Sequence, residues 1–188
     1  YTMADIDIQG IVQALHQARD EWRDAQQRVR DPLARELPSP EAVRLIVEQL
    51  KGALFPMRLG PENLHHESED YYVGYTLHAA LRSLTEQARL ELAFNARHAE
   101  QTPQDIKAQA QAAVALLAEQ LPTIRRLLDQ DVVAAFRGDP AALGVDEILL
   151  SYPGIQAIIH HRLAHVLYAQ GLRLLARLIA EQAHSSTG

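Results

Sequence analysis

Cysteine is absent from the 188 residues. Disulfide scaffolds, thiolate metal sites and thiol catalysis are excluded together. The absence fits a reducing compartment, and a cytoplasmic location is expected. Aromatic residues are scarce, at 5% with a single Trp. Alternating β-branched and aromatic runs are hard to find, so no strand is predicted. Positive charge is in deficit: 18 Lys and Arg face 24 Asp and Glu, a net charge of −6. Duplex nucleic-acid binders carry a basic excess, so a nucleic-acid partner is not expected. No run reaches 18 consecutive apolar residues, so neither a transmembrane helix nor a membrane partner is expected. The opening Tyr1-Thr2-Met3-Ala4-Asp5 lacks a basic region followed by an apolar stretch, and no signal peptide is expected. Phosphate-binding glycine motifs of the G-x-G-x-x-G and G-x-x-x-x-G-K-[ST] types are also missing, as is G-x-S-x-G.

What is present favours helix. Ala, Leu, Gln, Glu and Arg dominate, and these are strong helix formers. A balance of 47% hydrophobic and 22% charged residues is that of a globular chain. The spacing of Ile8, Ile11, Val12, Leu15, Ala18, Trp22 and Ala25 predicts a first helix from Asp7 to Arg30, stopped by Asp31-Pro32. Ser39-Pro40 supplies a cap and a first-turn proline for a second helix, ending near Phe55-Pro56. Residues 56–69 read as a long loop. A third helix is predicted from Tyr71 to Arg97, and a fourth opens with Thr102 as its cap. Pro122 is read as a fresh start for a fifth, reaching Arg137. After Asp139-Pro140 come a short helix or turn, a sixth main helix from Pro153, a break at Gly171 and a last helix from Leu172 to His184. The expected fold is all-α, a multi-helix bundle of six to eight helices. The 56–69 loop is the candidate boundary between an N-terminal extension, 1–55, and a second domain, 70–188.

Histidine is the first candidate for chemistry. His161 and His165 lie four apart on one predicted helix, a spacing that lets two rings grip a metal. A zinc-protease helix reads H-E-x-x-H, however, and here Arg162 stands where the glutamate would be. An arginine beside two ligands disfavours a cation, so interhelical hydrogen bonding is the expected role of His160, His161 and His165, with metal binding the alternative. His65-His66-Glu67 reads as solvated, and Ser151 as a cap or turn residue. Arg162, if buried, needs partners, most simply a carboxylate or carbonyl oxygens, and Asp139, Asp146 and Glu147 are the nearest acidic candidates before it in sequence. Asp139 admits two readings: a helix N-cap ahead of Pro140, or a carboxylate at an element end that binds an ammonium or hydroxyl group.

The last 50 residues carry a resemblance. Phe136-Arg137-Gly138-Asp139-Pro140-Ala141, Tyr152-Pro153-Gly154-Ile155-Gln156-Ala157-Ile158, His161-Arg162-Leu163-Ala164-His165, Leu167-Tyr168 and Gly171 closely resemble the helical region of bacterial serine O-acetyltransferases. So does Ala176-Arg177-Leu178-Ile179-Ala180-Glu181. The first 130 residues match less sharply and look like the longer N-terminal extension of some members. The resemblance implies acetyl transfer from acetyl-CoA to the serine hydroxyl, on the way to cysteine. It also implies a left-handed parallel β-helix following the helical domain, and trimers or dimers of trimers. The sequence stops at Gly188, where family members run on into the β-helix. The expected piece is therefore a helical domain truncated before the catalytic histidine, its aspartate and the acetyl-CoA site. No catalytic residue, metal or cofactor is expected in it, acetyl-CoA being a co-substrate of the parent enzyme, and alone it is expected to be inactive. Asp139 matches a serine-binding carboxylate of the family and is the one expected substrate-binding residue. Tyr152, Gly154, Arg162 and His165 match motif positions read as structural. An O-acetylserine sulfhydrylase is a further implied partner, through a tail this sequence lacks. The alternative is a non-enzymatic helical oligomerisation or interaction module.

Overall fold

A computed structural model of the chain describes residues 7–26, 35–98 and 105–187. Among the described residues there are eight α-helices and one short 3-10 turn, with no strand. The all-α multi-helix prediction is met. No helix among them is long and apolar enough to cross a membrane. The chain divides into two compact units, Tyr1–Arg35 and Glu36–Gly188.

The first unit contributes α1, Ile8–Ala25. Asp7 caps it, its carboxylate accepting the Gly10 N–H at 2.9 Å. The apolar stripe seen in the sequence forms, yet Ile8, Ile11, Val12, Leu15 and Trp22 are all exposed. The predicted continuation to Arg30 and the Asp31-Pro32 stop lie outside the described residues.

The second unit holds α2 (Pro40–Leu54), α3 (Pro56–Leu59), the 3-10 turn His66–Ser68, α4 (Glu69–His98), α5 (Ile106–Gly138), α6 (Val145–Ser151), α7 (Pro153–Ala169) and α8 (Arg173–Thr187). Helix α2 packs on α4, α4 on α5, α5 on α7 and α7 on α8. Their facing stripes make one core, with Ile46, Leu50, Leu84, Leu117, Leu128, Ile159, Leu163, Leu167 and Leu175 almost fully buried. Each such side chain contributes about 1.5–3 kcal/mol of burial free energy. Helix α2 thus belongs to this unit and shares its core, although the sequence pattern groups it with the N-terminal extension. Gly52 permits the close approach: a Cβ there would meet the Tyr72 hydroxyl of α4 at 2.4 Å.

Three predicted boundaries change. Residues 56–69, read as a loop, hold α3, the 3-10 turn and the first residue of α4. Pro122 does not start a new helix but sits inside α5. An interior proline costs a helix about 3 kcal/mol. Pro122 itself is exposed, and the buried stripe of Leu117, Leu121, Ile124 and Leu128 runs unbroken past it. Core burial outweighs the local penalty. The N-cap of α5 is Asp105, whose carboxylate accepts the Ala108 N–H at 3.2 Å; Thr102, the predicted cap, lies outside the described residues.

Helix ends are fastened by neighbours. Ser39 caps α2, its Oγ accepting the Ala42 N–H at 3.3 Å. Its own N–H donates to Gln87 Oε1 of α4 at 2.8 Å. One turn along α4, buried Glu91 accepts the N–H groups of Leu174 and Leu175 at the start of α8. A single face of α4 therefore supplies acceptors to the first turns of two other helices. At the far end of α2, Arg125 donates to the Leu54 carbonyl and lies 4.2 Å over the Phe55 ring. Between α7 and α8, Gly171 adopts φ 82°, the left-handed conformation open to glycine. The Gly171 N–H reaches Tyr168 O at 3.0 Å and the Leu172 N–H reaches Leu167 O at 3.1 Å, with Leu167 and Leu172 buried together. This is a Schellman ending, and it realises the predicted break.

Candidate functional site

Helix α5 ends at Gly138, and Asp139 turns into extended backbone at φ −121°, ψ 102°. Pro140 fixes the next φ and cannot continue the α5 ladder. The turn closes with the Ala142 N–H donating to Asp139 O at 3.2 Å. The Asp139 side chain folds over the same turn, Oδ1 accepting the Ala141 N–H at 2.9 Å. No helix begins at Pro140, since α6 starts only at Val145. Asp139 is therefore a turn carboxylate at the end of α5, not an N-cap.

Its second oxygen is also held. The Tyr152 hydroxyl donates to Asp139 Oδ2. Tyr152 occupies the junction between α6 and α7, its N–H on Ile148 O and its carbonyl receiving the Ile155 N–H at 3.1 Å. Its ring is half-buried against the core. The phenol hydrogen bond, then the Ala141 N–H, hold the Asp139 carboxyl below the ordinary carboxylate range. In return the carboxylate pushes the Tyr152 phenol up to about 12. The loop between α5 and α6 has a second tie, Glu147 Oε2 accepting the Leu143 N–H at 2.6 Å. The arrangement presents an ionised, oriented, partly exposed carboxylate. Such a group can accept hydrogen bonds from an ammonium or a hydroxyl.

The other predicted residues disperse. Arg162 pairs with Asp131 of α5, Nε to Oδ2 at 2.8 Å and Nη2 to Oδ1 at 2.9 Å. None of the three candidate acids before it in sequence serves it: Asp139 meets Tyr152, Asp146 pairs with Arg58 at 2.7 Å, and Glu147 accepts the Leu143 N–H. His160 is buried, and its Nδ1 lies 2.7 Å from Gln156 O of its own helix. That contact is within one helix, not between helices as predicted. Burial holds its imidazole below the ordinary histidine range. His161 and His165 are exposed, ring centroids 6.0 Å apart. They line a groove of about 1110 Å³ with Tyr168, Arg173 and Arg177. Among the described residues no group of three or more His, Asp or Glu side chains could hold a metal ion.

Sequence reasoning missed Asp131, Glu91 and the donor role of Tyr152. Glu91 had a usable signal. It continues the buried stripe of Ala80, Leu84, Gln87 and Ala88, and a carboxylate on a core-facing stripe needs donors.

Fold and site together define an all-α domain in which the Asp139 carboxylate is anchored at the end of α5. No family model matches the sequence. A plasmid serine acetyltransferase of Synechococcus elongatus is 47% identical over 157 residues, 81% of this chain and 49% of that protein. The serine acetyltransferase of Bacillus subtilis is 43% identical over 63 residues, 34% of this chain and 29% of that protein. Among solved structures, native serine acetyltransferase 1 of Entamoeba histolytica matches with a TM-score of 0.58 at 28% identity, over 84% of this chain and 51% of that one. Isoform 3 of the same organism, solved in complex with cysteine, matches with a TM-score of 0.59 at 26% identity, over 84% of this chain and 48% of that one. The chain spans about half the length of the Synechococcus relative and of these solved enzymes. Over this span the chain is similar to the serine acetyltransferases.

Proposed function

We propose that the chain is the helical substrate-site and oligomerisation domain of a serine O-acetyltransferase. The complete enzyme transfers acetyl from acetyl-CoA to L-serine: the serine oxygen bonds to the acetyl carbon, the thioester C–S bond breaks, and CoA leaves as the thiol. The serine hydroxyl proton passes to a base outside these residues. Asp139 accepts hydrogen bonds from the serine ammonium, a charge-assisted contact that fixes the amino acid for attack. Cysteine carries the same ammonium and carboxylate, and it occupies the same place as a competitor. One observation carries this reading: the anchored Asp139 carboxylate, in a chain 47% identical to a serine acetyltransferase.

In this reading residues 70–188 are the family's helical domain and 1–55 an extension of it, with α2 packed into the shared core. The exposed apolar face of α1 supports self-association, as trimers or dimers of trimers in the complete protein. The enzyme works in the cytoplasm, and an O-acetylserine sulfhydrylase binds elsewhere on it. The test is acetyl transfer, followed by thiol release from acetyl-CoA. The full-length protein should turn over L-serine, and the 188-residue chain alone should not. A full-length protein that acetylates other acceptors but not the serine hydroxyl would contradict the proposal.

A further inference from the structure

We infer that Tyr152 is a positioning residue for amino-acid recognition, its hydroxyl setting the direction in which Asp139 faces the substrate ammonium. The inference rests on the reading of Asp139 as the serine-binding carboxylate. A carboxylate offers about four lone-pair directions. At Asp139 the Ala141 N–H takes one on Oδ1 and the Tyr152 hydroxyl takes one on Oδ2. Rotation about the last side-chain bond would break both contacts. The remaining lone pairs have a fixed aim, and a ligand ammonium meets them without an ordering cost.

The two fasteners differ in origin. Ala141 lies two residues from Asp139 and can hold the carboxylate only to its own turn. Tyr152 lies 13 residues away and brings the turn into register with the first turn of α7, whose Ile155 and Gln156 N–H groups donate to the Tyr152 carbonyl. Helix α7 is joined to α5 a second time, by Arg162 and Asp131. Asp139 and Asp131 thus tie the C-terminal part of α5 to α7 at two places. The hydroxyl is separable from the packing role of the tyrosine. The ring rests against the core, while the loop keeps its own tie through Glu147 and Leu143. Tyr152→Phe therefore removes the aim of the carboxylate and leaves the ring and the loop in place.

The test compares Tyr152→Phe, Asp139→Asn and the double variant in the full-length protein, with helical circular dichroism as the check on folding. Tyr152→Phe should raise KM for serine about tenfold, the effect of losing one hydrogen bond to a charged group. KM for acetyl-CoA should stay unchanged. The acid limb of the serine kcat/KM profile should move to higher pH, because Asp139 loses the donor that keeps it ionised. In the double variant the loss should equal that of Asp139→Asn alone, since the hydroxyl acts only through the carboxylate. An unchanged serine KM in Tyr152→Phe, with a raised one in Asp139→Asn, overturns this inference and spares the reading of Asp139. An unchanged serine KM in Asp139→Asn overturns both. Additive losses in the double variant also overturn the inference. If Tyr152→Phe loses helicity, Tyr152→Leu, which keeps apolar bulk without a donor, takes its place under the same criteria.

Discussion

Glu91, in the C-terminal part of α4, accepts the backbone N–H of Leu174 at the start of α8, 83 residues further on. The neighbouring Leu175 N–H meets its other oxygen at 2.9 Å. Removing the carboxylate by Glu91→Ala leaves the buried Leu175 donor and the part-buried Leu174 donor without this acceptor, at a cost of about 1–3 kcal/mol. Urea denaturation should show that loss, and amide exchange at Leu174 and Leu175 should accelerate. Burial raises the Glu91 carboxyl above its ordinary range, and the backbone donors only partly offset this. The folded protein therefore binds the proton more tightly than the unfolded chain. The associated stability is full below the unfolded value of about 4.3 and is lost as pH rises through the folded one. Glu91→Gln removes this titration, and its stability profile should be flatter across that window.

Tyr152 provides a spectroscopic signature. With its phenol pushed up to about 12 by Asp139, this tyrosine should ionise late in an absorbance titration at alkaline pH. Subtracting the Tyr152→Phe curve isolates it from the other five of the chain's six tyrosines. In Asp139→Asn the same signal should return toward about 10. The stability tied to the contact is present below that unfolded value and disappears as pH rises through the folded one.

His160 should make the second unit acid-sensitive. Burial lowers its folded pKa and Lys51 adds to the effect, while the Gln156 carbonyl and then Glu48 oppose it. The unfolded chain then binds the proton first. Stability tied to neutral His160 is complete above about 6.5 and is lost as pH falls through the folded value. Within that window the slope approaches about 1.4 kcal/mol per pH unit. Urea midpoints measured from pH 7 downward should fall, and His160→Leu should remove that part of the slope.

Pro122→Ala should stabilise the chain. The proline lies inside α5 and is exposed, so alanine restores a helical donor without disturbing the core. The gain is bounded by about 3 kcal/mol, the interior proline penalty, less the entropy that proline removes from the unfolded chain. Thermal unfolding at neutral pH measures it. A loss of stability would show that Pro122 has a packing role.

Much of this structure could be read from residue order alone, and the failures have physical causes. Ser39-Pro40, Pro153 and Gly171 act locally, through caps and φ restrictions, and they mark the same boundaries in the sequence and in the fold. Pro122 misleads because its cost is local, whereas the burial that overrides it is summed along the stripe from Leu117 to Leu128. Asp139 stands out in the sequence by motif resemblance. Its tie to Tyr152 does not, because that contact depends on how α6 folds back. Arg162 was expected to reach an acid nearby in sequence. It meets Asp131 instead, because α5 and α7 pack side by side and a helix pair matches residues by position along the axis.

The most direct measurement is a crystal structure of the full-length protein with L-serine bound. The account predicts the serine ammonium within about 3 Å of the Asp139 carboxylate, with the Tyr152 hydroxyl still donating to that carboxylate from behind. Serine bound with its ammonium on other groups, and Asp139 facing solvent, would contradict it.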